Sequence, residues 1–205
     1  MKDLFGDEIA EKTKRGGGES MFRVNGCSNH SLSNRADYDF YATPPAAVHM
    51  LCDLESFKGP ILEPSCGLGH ISKALKEHGY DVESRDLVNR GYGKGGCDFL
   101  ADDDTEWGGD IVMNPPYDLA REFVEKALAI IHEGRKIAAF LKLTFAEGTS
   151  RRCLFTDTPP IRVWVSSKRL ECGKNGVFTG ASAVAYAWWI WEKGFHGQTT
   201  LKWFN

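Results

Sequence analysis

From about residue 37 onward, short apolar runs alternate with segments whose apolar residues recur at helical spacing. Strands that are apolar on both faces must be covered on both, so this alternation selects a mostly parallel α/β sheet flanked by helices. The run AAVHMLCDLESF follows Thr43-Pro44-Pro45, where proline suits a first helical turn. Gly59-Pro60 ends it, and Ile61-Leu62-Glu63 reads as a short buried strand. A second helix, His70 to His78, closes at Gly79. Strands are then expected at Tyr80 to Leu87, Cys97 to Leu100 and Gly109 to Met113. Asp118 is placed to cap the helix LAREFVEKALAIIH, with Leu119, Phe123, Ala127 and Ile130 on one stripe and Gly134 beyond it. Ile137 to Leu143 reads as a further strand; Ile161, Val163 and Val165 alternate as on an edge strand. Val184 to Trp191 is apolar on both faces, as deep in a covered sheet. Only SKRLECGKNGVFTGAS separates these last two strands, so they are expected to pair as an antiparallel hairpin. The expectation is a seven-stranded, mostly parallel sheet with helices on both faces.

Residues 1–36, with EKTKRGGGES among them, have the composition of a flexible extension preceding one domain at 37–205. The N-terminal MKDLFGDEIAEKTKR lacks an apolar h-region, and the longest apolar run, Ala183 to Trp191, falls short of a bilayer span. This reads as a cytoplasmic chain with no membrane role. Six scattered cysteines (Cys27, Cys52, Cys66, Cys97, Cys153, Cys172) form no CxxC pair and read as reduced thiols. Cys27-x-x-His30 and His49-x-x-Cys52 match no common zinc spacing, so no metal is expected. Charge is divided: residues 134–205 hold 11 Lys/Arg against 4 Asp/Glu, while the first 133 hold 14 against 24. That asymmetry fits a polyanion-facing surface at one end, or a solvated face.

In open α/β sheets ligands bind beyond the carboxyl ends of the strands, so the residues after each strand carry the chemistry. After the first stands Glu63-Pro64-Ser65-Cys66-Gly67-Leu68-Gly69-His70, whose two glycines let backbone approach a ligand. Position 72 is Ser, so the third glycine of a dinucleotide fingerprint is missing, and Glu63 would repel a pyrophosphate. A cationic or hydroxyl-rich ligand fits better. Asp86, 17 residues beyond Gly69, is placed to accept hydrogen bonds from ribose hydroxyls. Asp98-Phe99 offers an acceptor for an exocyclic amine and a ring for stacking.

After the fourth strand comes Asn114-Pro115-Pro116-Tyr117. Two prolines fix two φ angles and remove two N–H donors, leaving a rigid turn of exposed carbonyls. The Asn114 side-chain oxygen and the Pro115 carbonyl can both accept from one –NH2 group, and Tyr117 supplies a flat face for a planar base or amide. A plain helix-initiating turn is the alternative.

With these motifs the sequence resembles the S-adenosylmethionine-dependent methyltransferases that modify exocyclic amines, and most of all small phage- or prophage-type DNA N6-adenine methyltransferases. The resemblance covers about Asp37 to Asn205. It implies a Rossmann-like class I methyltransferase fold with S-adenosyl-L-methionine as cofactor. It places Glu63, Pro64, Cys66, Gly67 and Gly69 near the methionine end, with Tyr41, Thr43 and Pro44 closing over the methionine carboxylate. Asp86 and Leu87 would meet the ribose, Asp98 and Phe99 the adenine, and Asn114, Pro115, Pro116 and Tyr117 the flipped base.

Only 12 positions separate Asp98 from Asp110, so no target-recognition domain is inserted there. Specificity is then expected from the loop at 144–160, the hairpin at 167–182 or a protein partner. Arg151, Arg152, Lys168, Arg169 and Lys174 are assigned to phosphate contacts. Phe178 is either a second stacking face for an extruded base or a core residue. The expected partner is DNA in a prokaryotic or phage-infected cell. Cytosine N4, an RNA base, protein glutamine and a non-catalytic partner subunit are the alternatives.

Overall fold

The computed structural model describes residues 40–178 and 184–204. The expected extension at residues 1–36 and part of the 167–182 hairpin lie outside them. The strands are β1 (Tyr41–Ala42), β2 (Ile61–Glu63), β3 (Val82–Ser84), β4 (Ile111–Met113), β5 (Lys136–Lys142), β6 (Arg162–Ser166), β7 (Gly173–Lys174), β8 (Tyr186–Glu192) and β9 (Thr200–Phe204). The helices are α1 (Pro45–Leu54), α2 (His70–Glu77), α3 (Ala120–Ile130) and α4 (Cys153–Thr156).

Seven strands form one sheet in the order β3-β2-β4-β5-β8-β6-β9. Pairing is parallel from β3 through β5 and between β6 and β9, and antiparallel where β8 meets β5 and β6. Both layers follow from the two-residue period of the strands. Ile137, Ala139 and Leu141 of β5, with Ala187, Trp189 and Trp191 of β8, pack under Phe123, Val124 and Ala127 of α3 and Leu154 of α4. Ala138, Phe140, Trp188 and Ile190 point the other way, onto Val48 and Leu51 of α1 and Ile71 and Leu75 of α2. The Trp188 indole N–H is satisfied by the Ala47 carbonyl at 2.9 Å.

Several elements differ from expectation. Cys97 to Leu100 is not a strand: the Asp98 carboxylate accepts from the Leu100 N–H at 3.0 Å and turns the chain, while Phe99 anchors the turn in the core. The seventh strand is instead β9, which takes the edge position expected of β6. Asp118 is not the N-cap of α3: a 3₁₀ turn, Tyr117–Leu119, precedes that helix and puts Leu119, 43% exposed, at the cap. β3 is shorter than Tyr80 to Leu87. α1 stops at Leu54 because Glu55 is extended, its carboxylate drawn to Arg162 of β6. Among the described residues no helix is long and apolar enough to cross a membrane.

Two strands lie outside the main sheet. β1 pairs antiparallel with β7, Tyr41 opposite Lys174. Asn175 and Gly176, at φ 50° and 80°, make the tight turn that brings Val177 back to Lys174.

Candidate active site

β2 lies between β3 and β4, so the chain reverses its direction of winding there, and the strand ends diverge to leave a crevice. The turn leaving β2 is fixed first. Gly67 and Gly69 have φ 55° and 79°, and a Cβ would drive Gly67 into the Phe40 ring and Gly69 into the Tyr92 ring. The Gly67 N–H donates to Asp86 Oδ2 at 2.7 Å, tying the turn to the end of β3. Both glycines are therefore fixed by backbone and close packing. Gly67→Ala is expected to cost about 1–3 kcal/mol in backbone strain and to push Phe40 off the crevice wall. Urea unfolding checks this, and an unchanged midpoint would contradict it.

The crevice encloses about 940 Å³ of atom-free space, part of it open to solvent. Tyr41, Thr43, Glu63, Pro64, Cys66, Asp86, Leu87, Asp98, Phe99, Asn114 and Pro116 all line it. Pro44 is instead the N-cap residue of α1, and Gly67, Gly69, Pro115 and Tyr117 are not among the residues that line the crevice. Glu63 is 1% exposed; its Oε2 accepts from the Ser72 N–H at 2.9 Å and from the Ser72 hydroxyl, which lies 2.6 Å from the Ser84 hydroxyl. Burial pushes the Glu63 carboxyl up to about 8 against the hydrogen bonds from Ser72, so it is mostly neutral at pH 7.

Asp86 accepts from the Gly67 and Val88 N–H groups and from Arg90 at 3.1 Å. Since a carboxylate has about four acceptor positions, a ribose hydroxyl would take the remaining one or displace Arg90. Arg90 also lies over the Phe40 ring, 4.8 Å from its centroid, linking the segment before β1 to the loop after β3. Phe99 is a core residue packed on Phe123 at 5.1 Å, with part of its surface in the crevice. Sequence reasoning missed Phe40, Arg90 and His70 in the lining and Ser72 and Ser84 behind Glu63. The four-residue spacing of Arg90 from Asp86 is the signal that was available.

Asn114 follows β4. Its Nδ2 donates to the Tyr41 carbonyl at 2.6 Å, which orients the amide and turns Oδ1 the other way. Asn114 Oδ1 is buried without a hydrogen-bond partner, and so is Thr43 Oγ1; both residues line the crevice. Two unsatisfied polar atoms in one wall mark a place for a polar ligand. Asn114 Oδ1 can only accept, so its partner must be a donor.

Behind the turn, the Tyr117 ring stacks on Tyr41 at 5.3 Å and carries the Lys142 ammonium 4.3 Å from its centroid. Its hydroxyl lies 3.3 Å from that of Tyr186, in a buried group with Cys172. Burial pushes the Cys172 thiol up to about 11 and both phenols well above their usual value, so all three are neutral near pH 7.

The expected phosphate contacts divide. Arg151 is folded onto its own loop, donating to the Phe145 and Glu147 carbonyls. Arg152, Lys168, Arg169 and Lys174 are exposed. Phe178, 41% exposed, is not a core residue; it makes an edge contact with the His70 ring at 5.7 Å, beside the crevice. Among the described residues no cluster of three or more metal-ligating side chains occurs.

No protein-family model and no curated protein sequence matches the chain. Solved structures do. A Listeria monocytogenes protein assigned to the class I S-adenosylmethionine-dependent methyltransferases aligns over 79% of this chain and 65% of its own, with 14% identity and a TM-score of 0.54. Atu636 of Agrobacterium tumefaciens, described as an O-methyltransferase, aligns over 78% of this chain and 85% of its own, with 14% identity and a TM-score of 0.54. TrmN of Thermus thermophilus aligns over 73% of this chain and 48% of its own, with 20% identity and a TM-score of 0.50. The chain thus spans less than two thirds of the first and third of these proteins. Its fold is that of the class I methyltransferases, with the crevice at the carboxyl ends of β2, β3 and β4.

Proposed function

We propose that this protein transfers a methyl group from S-adenosyl-L-methionine to the exocyclic amine of a base, with adenine N6 in DNA as acceptor. The observation that carries the reading is the buried, unpartnered Asn114 Oδ1 in the crevice wall. An –NH2 group is the donor that satisfies it.

The crevice residues fit the cofactor's chemistry. Thr43 Oγ1 offers an unsatisfied hydroxyl, Glu63 and Asp86 offer carboxyls toward cationic and hydroxyl groups, and Leu87, Phe99 and Asp98 offer apolar surface and an acceptor. Bound there, S-adenosylmethionine supplies an electrophilic methyl group. Asn114 Oδ1 accepts one N–H of the incoming amine and so aims the nitrogen lone pair away from itself. The amide is held because Nδ2 is bound to Tyr41, whose backbone is paired with β7. Catalysis then comes from fixed orientation and preorganised acceptors. The turn, an amide, two prolines and a phenol whose ionisation burial opposes, supplies no general base, so the proton lost from the methylated nitrogen passes to water.

A base of about 3.4 Å thickness does not fit between rings 5.3 Å apart, so the Tyr41 ring or the Lys142 ammonium moves aside as a base stacks on Tyr117. Arg152, Lys168, Arg169 and Lys174 are the cations for the phosphate backbone, and Phe178 beside His70 is the second aromatic surface. With no inserted recognition domain between Asp98 and Asp110, sequence choice falls to the loop after β5, the hairpin carrying β7, or a protein partner.

The test is to incubate the protein with methyl-labelled cofactor and DNA, RNA or ribosomal protein, and to identify the modified residue by mass spectrometry. Label on adenine N6 of DNA is the expected result. Label in glutamine or only in RNA overturns the DNA acceptor, and no label in any of them overturns the enzymatic reading.

A further inference from the structure

We propose that cofactor binding expels one proton from Glu63, a cationic group of the ligand taking the proton's place at the crevice wall. The inference rests on the reading that S-adenosylmethionine is the ligand. Glu63 ends β2 in the wall, and Ser72 at the start of α2 grips its Oε2 through both backbone and hydroxyl, with Ser84 of β3 behind it. A carboxylate so enclosed lacks the water that would stabilise its charge, and the group stays protonated until a cation arrives.

The surrounding charges leave this change to Glu63. Asp86, from the end of β3, repels a second negative charge but is itself bound to Arg90. The Cys66 thiol, pushed up to about 12 by burial, stays neutral. His70, whose ionisation burial and Lys73 oppose, is neutral above pH 7. Lys76 on α2 favours the carboxylate, but less than burial disfavours it.

S-adenosylmethionine carries an ammonium and a sulfonium, and either cation placed against Glu63 stabilises the carboxylate, so the proton passes to solvent. With the carboxyl raised to about 8, binding of the ammonium form should release most of one proton per cofactor at pH 7, and less near pH 8, where the ligand's own amine also begins to lose its proton. Affinity should rise with pH up to about 7 and stop rising near pH 8.

Calorimetric titration of the full chain with S-adenosylmethionine, in phosphate and in Tris, reads the released protons from the difference in apparent heat. The demethylated product, S-adenosylhomocysteine, keeps the ammonium and lacks the sulfonium. Release with both ligands makes the ammonium the partner, and release with S-adenosylmethionine alone makes it the sulfonium. The Glu63→Gln protein should bind more weakly, release no proton at pH 7 and lose the rise in affinity toward pH 7. Binding by the wild-type chain with identical heats in both buffers at pH 7 overturns the proton coupling while leaving the cofactor assignment intact. Equal release by Glu63→Gln overturns the assignment to Glu63. No binding of either ligand overturns the cofactor reading itself, and this inference with it.

Discussion

Replacing Asn114 with Ala is expected to lower methyl transfer by about 10²–10³-fold, the range found when one preorganised hydrogen-bonding group is removed from an active site. The cofactor should still bind, because the other lining residues remain. The variant removes two things at once. It deletes Oδ1, the acceptor aimed into the crevice, and it deletes the Nδ2 donor to the Tyr41 carbonyl. Losing the second removes a hydrogen bond to the Tyr41 carbonyl beside the turn, which should cost about 1 kcal/mol of stability. Single-turnover rates with saturating cofactor separate the effects: a binding defect disappears at saturation, whereas the loss of orientation persists. A rate within twofold of the wild type would contradict the role given to Asn114.

The second large effect lies at the other end of the sheet. Glu55 accepts from Arg162 through both guanidinium arms, from Lys136 at 2.8 Å and from the Trp164 indole at 3.0 Å, with its side chain 2% exposed. Burial alone would raise its pKa, but hydrogen bonds from Arg162, then Lys136 and Trp164, outweigh it and hold the carboxyl down at about 2. Relative to 4.5 for an unperturbed glutamate, that depression contributes about 3 kcal/mol of stability. Because the folded value is the lower one, the contribution is fully present above about pH 4.5 and is lost as pH falls toward 2. Glu55→Gln should therefore lose about 3 kcal/mol at pH 7, since Arg162 and Lys136 are left as half-buried unpaired cations. The deficit against the wild type should shrink below pH 4. Urea unfolding at pH 7 and pH 3 measures both, and a deficit independent of pH would contradict this account of the cluster.

These two sites differ in how far the sequence revealed them. Glu63 and Asn114 were legible because each closes or follows an apolar run, and Asp86 because it stands beyond an expected strand; a parallel sheet gathers such residues whatever lies between them, and Asp98 joins them from a turn that reads as a strand. Glu55 was not legible, because its partners Lys136 and Arg162 lie 81 and 107 residues away and meet it only once β5 and β6 are aligned.

The same distinction explains the misread elements. β5 and β8 announce themselves by unbroken apolar residues because both faces are covered. β9 was missed because it is only five residues long and lies on the sheet edge, where four of its residues, Leu201 and Trp203 among them, are exposed. Phe99 gave the 97–100 segment the look of a strand, when one buried ring anchoring an Asp98 turn was enough.

Charge counting does not show which cations are already engaged within the fold. The basic excess after residue 134 includes Arg151, spent on two carbonyls of its own loop, and Lys136 and Arg162, bound by Glu55. The cations not engaged in these contacts are fewer than the count implies. Nor does sequence show that the Tyr117 ring, expected to offer an open face, is met by Tyr41 and Lys142. Such contacts depend on side-chain placement, which no pattern of residue types encodes.

The central claim is that Asn114 presents a buried acceptor to an exocyclic amine. The position of the transferred methyl group tests it most directly. Unmethylated duplex DNA is incubated with the protein and S-adenosylmethionine, digested to nucleosides and analysed by mass spectrometry against N6-methyldeoxyadenosine and ring-methylated standards. The account predicts N6-methyldeoxyadenosine from the wild-type protein and about 10²–10³-fold less from Asn114→Ala. A methyl group on a ring nitrogen, a carbon or an oxygen, which present no –NH2 to Asn114, would contradict it.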